Sequence, residues 1–457
     1  MGRLFGTDGA RGVANTEITC ELAMQIGRAA AMVLTKHTNE RPKVLIGMDT
    51  RASSQMLESA IAAGLCSVGA DVNLLGEIPT PAVAYLVRKY EYDAAIMISA
   101  SHNPCEYNGI KIFQSNGYKL PDALEEEIES IILDKSQLPP VKIGGDVGRI
   151  KRSRTAVADY IKYLYGIAKD DLAEYGIADL GGLRIALDCS NGSACLTAPE
   201  LFMKLCEDCF FTASHPNGTN INNKCGSTHL EVLQDFVVRN KCDAGLAFDG
   251  DADRFLAVDE NGNVVDGDKL ISIFAKYLKD KGKLCKDTAV VTVMSNMGFF
   301  KFCEDNGIKC EKTKVGDRYV LENMVANGYS IGGEQSGHII FLDHATTGDG
   351  QLSALKLLCI MKETGKKLSD LASEMQVFPQ VLINVRVSDF GKVKFPRDKE
   401  IKNAIEAAEK ELGTDGRVLV RVSGTEPLVR IMLEGKDKEK INILAQELAE
   451  VIKERLI

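Results

Sequence analysis

The chain has 457 residues, a formal charge of −9 and an isoelectric point near 5.4. Its 45% hydrophobic and 26% charged content are those of a globular protein too long for one core, so three or four domains are expected. No basic run or basic-aromatic stripe is present, which excludes an ordinary nucleic-acid binder and leaves any anionic substrate to be met by local positive charge.

No stretch is long and apolar enough to span a membrane. The first residues lack the apolar core of a secretory signal, and Gly6 stands where a myristoylation pattern needs Ser or Thr, so a cytoplasmic protein is expected. The 13 cysteines are scattered. Cys206-Glu-Asp-Cys209 lacks the second ligand pair of a zinc site, so reduced structural thiols are expected.

The chain opens with strand–helix alternation. Apolar spacing predicts helices over 20–34, 55–69 and 81–89, and strands over 43–49, 71–75 and 93–98. An acidic helix over 122–133 and a Pro/Gly-rich stretch over 139–148 lead to a first boundary, giving a domain of 1–154. A second domain, 155–256, opens with a helix over 155–168 and carries a strand over 183–188 and an apolar run up to Phe248. Strands over 255–259 and 264–265, joined by a turn at Glu260-Asn-Gly-Asn263, read as a hairpin. A third domain covers 257–371. Residues 378–387 read as a linker into a smaller fourth domain, 372–457, with strands over 417–422 and 428–433 and a helix over 438–457. The alternation argues for α/β domains built on βαβ sheets.

Four loops carry chemistry. The first, Ser99-Ala-Ser-His-Asn-Pro104, follows a buried strand, where α/β folds place ligands. Ser101 is a candidate nucleophile or phosphate carrier, with His102 and Lys111 as nearby bases; a plain Ser/Asn-Pro turn is the alternative. The second is Asp249-Gly-Asp-Ala-Asp253. In an extended segment Asp249, Asp251 and Asp253 would face one way and could share one hard cation. An EF-hand is the rival: Glu260 falls at its twelfth position, but Arg254 stands where its glycine belongs. Arg254 suits contact with a phosphate. Asp93-Ala-Ala-Ile-Met-Ile98 and Asp243-Ala-Gly-Leu-Ala-Phe248, each followed by one of these loops, read as an internal repeat, with Tyr329-Ser-Ile-Gly-Gly-Glu-Gln-Ser-Gly-His338 as a candidate third unit.

In the third loop, Gly332-Gly-Glu-Gln-Ser-Gly-His338, Glu334 can accept from two vicinal hydroxyls and Ser336 can donate or accept; a glycine-rich turn is the alternative. In the fourth, Arg421-Val-Ser-Gly-Thr-Glu-Pro-Leu-Val-Arg430, Ser423, Gly424 and Thr425 between two arginines can cradle an oxyanion, against a hairpin turn with surface arginines.

Together these loops resemble the α-D-phosphohexomutase superfamily, and within it the bacterial phosphoglucosamine mutases. Gly6-Thr-Asp-Gly-Ala-Arg-Gly12 is similar to the family's N-terminal signature, and the four loops are similar, in order, to its phosphoserine, magnesium, sugar and phosphate loops. Gln335, Val315-Gly-Asp-Arg-Tyr-Val320, Gly226-Ser-Thr-His229 and Thr346-Thr-Gly-Asp349 resemble the glucosamine branch, which makes Gly316 and Asp317 candidate substrate contacts.

The resemblance implies three related α/β domains with mixed sheets and a smaller α+β C-terminal domain around a central cleft. It implies a cytoplasmic enzyme, often a homodimer, that interconverts glucosamine 6-phosphate and glucosamine 1-phosphate on the route to UDP-N-acetylglucosamine. A phosphate on Ser101 would pass through glucosamine 1,6-bisphosphate beside one Mg2+ held by Asp249, Asp251, Asp253 and an oxygen of that phosphate. Arg11 would steady the phosphoserine, Lys111 and His102 would handle protons or charge, and Arg421, Ser423, Gly424, Thr425 and Arg430 would hold the substrate's own phosphate. A phosphoglucomutase or phosphomannomutase of the same superfamily, a metal-dependent phosphatase, and a non-catalytic phosphosugar sensor are the competing expectations.

Overall fold

Three times along the chain a buried strand is followed by a polar loop and an antiparallel return. The computed structural model describes residues 4–6, 8–34, 41–134, 138–423 and 427–456. In the first domain the strands run Asp71–Glu77, Lys43–Met48, Ala94–Ile98, Tyr107–Gln114 across the sheet, the first three parallel and the last antiparallel. The second domain repeats this order with Asp208–Thr212, Arg184–Asp188, Ala244–Phe248, Phe255–Asp259. The third repeats it with Lys309–Thr313, Thr288–Thr292, Ile331–Gly333, Ile339–Phe341.

The matching residues also do matching work. Asp93 accepts from the Lys43 N–H at 2.8 Å, and Asp243 accepts from the Arg184 N–H at 2.8 Å. Each aspartate closes the start of its strand against the first residue of the parallel neighbour. The internal repeat therefore extends from residue pattern to hydrogen bond.

The first sheet is widened to seven strands by Phe5–Gly6, Gly9–Val13 and Ile150–Arg152. Its core lies between the sheet and the helices Cys20–Leu34, Ala52–Ser67 and Asp122–Leu133, with Ile26, Leu57, Ile61, Ile96 and Ile128 at its centre. Caps place the helices that bear on the site. Asp266 accepts from the Lys269 N–H at the start of Gly267–Asp280, and Asp349 from the Leu352 N–H at the start of Gly350–Thr364.

By contact density the chain forms two units, residues 1–294 with 308–373, and residues 295–307 with 374–457. In the second unit Gln380–Arg386 and Gly416–Val422 flank Leu428–Gly435, all antiparallel. Helices Lys399–Leu412 and Lys438–Leu456 contribute Ile401, Leu412, Leu444, Leu448 and Ile452 to its core, against Val429, Ile431 and Leu433. The Asn296 amide donates to Phe378 O at 3.0 Å and to Glu434 at 3.1 Å, which ties the helix Met297–Asp305 to this sheet.

Residues 378–387 are not a linker. Their Val381, Ile383 and Val385 alternate toward the core of this second unit, and Gln380–Arg386 pairs along its whole length with Leu428–Gly435. Leu382, Asn384 and Arg386 alternate with these three and point outward from an edge strand. Two helices are longer than apolar spacing predicts. One runs Ala52–Ser67 instead of 55–69, and the other runs Ala156–Ala173 instead of ending at 168.

Candidate active site

In each repeat the polar loop joins the third strand to its antiparallel return, at the carboxyl end of the parallel strands. Ser101, Asp249–Asp253 and Glu334–Gly337 all lie at this position. The loops meet at close range. A Cβ on Gly250 would lie 2.6 Å from Ser101 O, and one on Gly337 would lie 2.2 Å from Phe255 O, so only glycine permits either approach.

Ser101 is 1% exposed and has a left-handed backbone, φ 53°. Its hydroxyl donates to Asp249 Oδ2 at 2.5 Å. One ligand oxygen from each of Asp249, Asp251 and Asp253 lies within 4.8 Å of the others, and all three residues are buried. They do not converge by strand alternation. Residues 249–253 form a turn, closed by Ala252 N–H to Asp249 O at 3.1 Å with Ala252 at φ 56°. The flanking elements are strands, which removes the EF-hand alternative.

The outer oxygens of the trio are occupied. Asp251 Oδ2 accepts from Thr80 Oγ1 at 2.6 Å and from Lys111 Nζ at 2.7 Å, and Asp253 Oδ2 accepts from Lys111 at 3.2 Å. Among the described residues, Asp251 Oδ1 and Asp253 Oδ1 are buried with no hydrogen-bond partner. Burial, then repulsion from Asp253 and Asp251, pushes the Asp249 carboxyl well above the usual carboxylate range. Burial also raises Asp253, but Lys111, His338 and Arg254 outweigh it and hold that carboxyl low. Two bare buried carboxylate oxygens beside a third carboxylate fit a divalent, oxygen-preferring cation such as Mg2+.

Lys111 is buried among Asp251, Asp253 and Asp8, the last at 3.3 Å, and these acids outweigh its burial and hold it firmly charged. The charges continue to alternate outward. Lys119 pairs with Asp8 and with Asp317, each at 2.5 Å. Arg11 donates to Asp8, and Arg254 Nε lies 4.0 Å from Asp253 Oδ1. Burial, with Arg254 and Arg11 nearby, pushes the His102 imidazole down to about 4.

Glu334 Oε1 accepts from the Gly316 N–H at 3.1 Å, which joins the sugar-type loop to the segment 315–320. Gln335 reaches Asp266 at 3.2 Å, and Ser336 is exposed. Asp317 is engaged by Lys119, with His338 Nε2 at 3.6 Å. Asp8 and His338 lie inside the quoted motifs without a role read for them, and Thr80 and Lys119 lie outside every motif. Thr80 and Lys119 carry no loop signature, and Thr80 lies 171 residues from its partner Asp251. Arg421, Ser423 and Arg430 belong to the second unit. Arg421 and Arg430 are directly opposite across two strands. Burial, then the charge of Arg430, lowers Arg421, so the pair favours an anion between its members. Gly424 and Thr425 lie outside the described residues.

Comparison with known proteins agrees along the whole chain. The phosphoglucomutase/phosphomannomutase family is matched by its alpha/beta/alpha domain I over residues 2–139, domain II over 158–262, domain III over 266–378 and its C-terminal domain over 382–451. A phosphoglucosamine mutase of Acetivibrio thermocellus is 56% identical over 456 residues, covering 100% of both chains. Among solved structures, a phosphoglucomutase/phosphomannomutase family protein from Burkholderia thailandensis superposes with a TM-score of 0.81 at 23% identity, covering 100% of this chain and 98% of that one. An Aspergillus fumigatus N-acetylphosphoglucosamine mutase in complex with GlcNAc-6P and magnesium gives 0.69 at 16% identity, covering 99% and 96%. Identity above one half over the full length, on a fold of three α/β/α domains and an antiparallel C-terminal domain, places this chain among the phosphoglucosamine mutases, phosphosugar isomerases of the phosphoglucomutase/phosphomannomutase superfamily.

Proposed function

We propose that this enzyme converts glucosamine 6-phosphate to glucosamine 1-phosphate by carrying a phosphoryl group on Ser101. The observation that carries the reading is a buried serine hydroxyl 2.5 Å from an acidic trio with two unpartnered oxygens. Asp249, Asp251 and Asp253 would hold Mg2+. When bound, the cation neutralises charge on the transferring phosphoryl group and polarises its phosphorus.

In the first half-reaction the sugar's C1 hydroxyl attacks the phosphorus of phospho-Ser101. The P–O bond to Oγ breaks, the proton lost by the C1 hydroxyl is balanced by one gained at Oγ, and glucosamine 1,6-bisphosphate forms. The bisphosphate reverses in the site. Ser101 Oγ then attacks the phosphorus on C6; the P–O bond to the C6 oxygen breaks, that oxygen takes up a proton, and glucosamine 1-phosphate leaves. Asp249 Oδ2, which accepts the Ser101 hydroxyl proton, is the atom placed to receive it as Oγ attacks. Lys111 donates to two aspartates and acts as a charge partner to the trio. Arg11, Arg254 and His102 surround the phosphoserine loop; Arg421, Ser423, Gly424, Thr425 and Arg430 take the sugar's other phosphate. Glu334, Ser336, Gly316 and Asp317 form the sugar-facing set, with Glu334 fixed by the Gly316 N–H. Because both ends of the sugar visit one centre, this set must grip hydroxyls midway along the ring.

Ser101→Ala should abolish turnover of glucosamine 6-phosphate, and near-normal turnover would refute the carrier role. Rates on glucosamine, glucose and mannose phosphates test the sugar, and absence of free inorganic phosphate separates a mutase from a phosphatase. Among the described residues no helix is long and apolar enough to cross a membrane, and all 13 cysteines are free. These facts support a cytoplasmic enzyme; a homodimer is the assembly proposed, to be tested by mass in solution.

A further inference from the structure

The serine loop is held by two donors that the reaction itself does not use. Arg51 is 1% exposed, and its guanidinium points into the loop that carries Ser101. Nη2 donates to Ser101 O at 2.9 Å and to Asn103 O at 2.8 Å. Nη1 donates to Tyr107 O at 3.0 Å and to Pro104 O. Nε donates to Asp49 Oδ2 at 2.8 Å. Asp49 Oδ2 also accepts from Ser99 Oγ at 2.7 Å, and Ser99 Oγ accepts from the Ser101 N–H at 2.9 Å. One guanidinium and one carboxylate thus close a ring around the loop.

The second donor comes from the second domain. Asn222, 8% exposed, gives its amide to Ser101 O at 2.8 Å and to Asn103 O at 3.0 Å, the same two carbonyls that Arg51 takes. Its own N–H donates to Ser190 O at 2.9 Å, which anchors it to its domain. A Cβ on Gly250 would lie 2.9 Å from this amide, so Asn222 is packed between the serine loop and the acidic loop.

We infer that Arg51 and Asn222 are positioning residues for phosphoryl transfer: they lock the carbonyls of 101 and 103 from two domains, and so hold Ser101 Oγ in line with the acidic trio. The physical need is plain. A serine at φ 53° is in a region disfavoured for side-chain-bearing residues and stays there only when its surroundings hold it. Both residues donate to backbone carbonyls of the loop, and each acts through the backbone of Ser101. The inference rests on Ser101 being the phosphoryl carrier.

Loosening the lock should harm alignment and leave affinity alone. Transfer to a sugar hydroxyl needs a narrow approach, and a misplacement of about 1 Å costs on the order of a hundredfold. Water is small and abundant and tolerates a poorer angle. Asn222→Ala, which leaves Arg51 in place, should lower kcat about tenfold or more, with KM for glucosamine 6-phosphate changed less than about twofold. A larger share of phospho-Ser101 should be lost to water, read as inorganic phosphate per turnover and by intact mass. Arg51→Lys keeps the charge but not the planar fork, and should show the same signature more strongly. Should that variant fail to fold, Asn222→Ala decides alone. Wild-type kcat and wild-type phosphate release in folded Asn222→Ala would overturn the inference. A wild-type enzyme that turns over with no phosphate on Ser101 would instead overturn the carrier reading beneath it.

Discussion

Lys111 shows how much of this site is electrostatic necessity. An isolated buried ammonium is costly, and so are three buried carboxylates; Lys111 offsets one of their three negative charges and leaves two. What the balance lacks is met at Asp251 Oδ1 and Asp253 Oδ1, the oxygens left for a cation. Thr80 belongs to this design because its hydroxyl orients Asp251. Thr80→Val should raise the Mg2+ concentration for half-maximal activity about tenfold or more, as loss of a bond to a metal ligand does; an unchanged magnesium titration would remove Thr80 from the site. Arg421→Ala should raise KM for the phosphosugar about tenfold or more and leave the magnesium titration alone, since a charge-assisted bond to phosphate contributes about 1.5–3 kcal/mol. Unchanged KM would refute the phosphate role. The sequence names Ser101 and the three aspartates because they sit in distinctive loops. It is silent on Thr80, Arg51 and Asn222 because a partner's position 50 to 171 residues away is set by the fold.

At the scale of elements, strongly periodic segments are readable and edges are not. The helices Cys20–Leu34 and Asp122–Leu133 coincide with the apolar spacing, as do the strands of the hairpin after the acidic loop. Gln380–Arg386 escapes because an edge strand interleaves polar residues, and Pro379 before it resembles a linker. The cap of Gly350–Thr364 is a second element-level feature. Asp349 accepts from Tyr160 Oη at 2.8 Å and from the Leu352 N–H at 2.9 Å, and burial pushes its carboxyl up to about 6. A folded-state value above the unfolded one means the protonated form is favoured on folding. That stability is complete below the unfolded value, near 3.8, and is lost as pH rises through about 6. Asp349→Asn cannot lose it, so the stability of this variant relative to wild type should improve by on the order of 2 kcal/mol between pH 4 and pH 7. Denaturant unfolding at the two pH values reads the difference, and a constant difference would contradict the assignment.

At the scale of the molecule, function follows from repetition. Three copies of one strand order deliver three loops to the same end of their sheets, and the loops differ in the side chains they carry. The Asp93 and Asp243 closures preserve the geometry beneath that divergence. The two strand-loop segments show the repeat in sequence; the third copy, with strands of three residues, shows it mainly in pairing order. A cation that binds the folded acidic trio must also stabilise the fold by mass action. Mg2+ at 100 times its Kd should therefore add about 2.7 kcal/mol to wild type, seen as a rise in Tm, and little to Asp251→Asn; equal shifts in both would place the cation elsewhere.

The central claim is that one phosphoryl group shuttles through Ser101, and its most direct test is mass analysis. Dephosphorylated enzyme is mixed with Mg2+ and glucosamine 1,6-bisphosphate, and the protein and its peptides are weighed. The account predicts one phosphoryl group gained, on the peptide containing Ser101 and on that serine, with glucosamine monophosphate released in equal amount. Turnover without any phosphoryl gain, or with the gain on another residue, would contradict it.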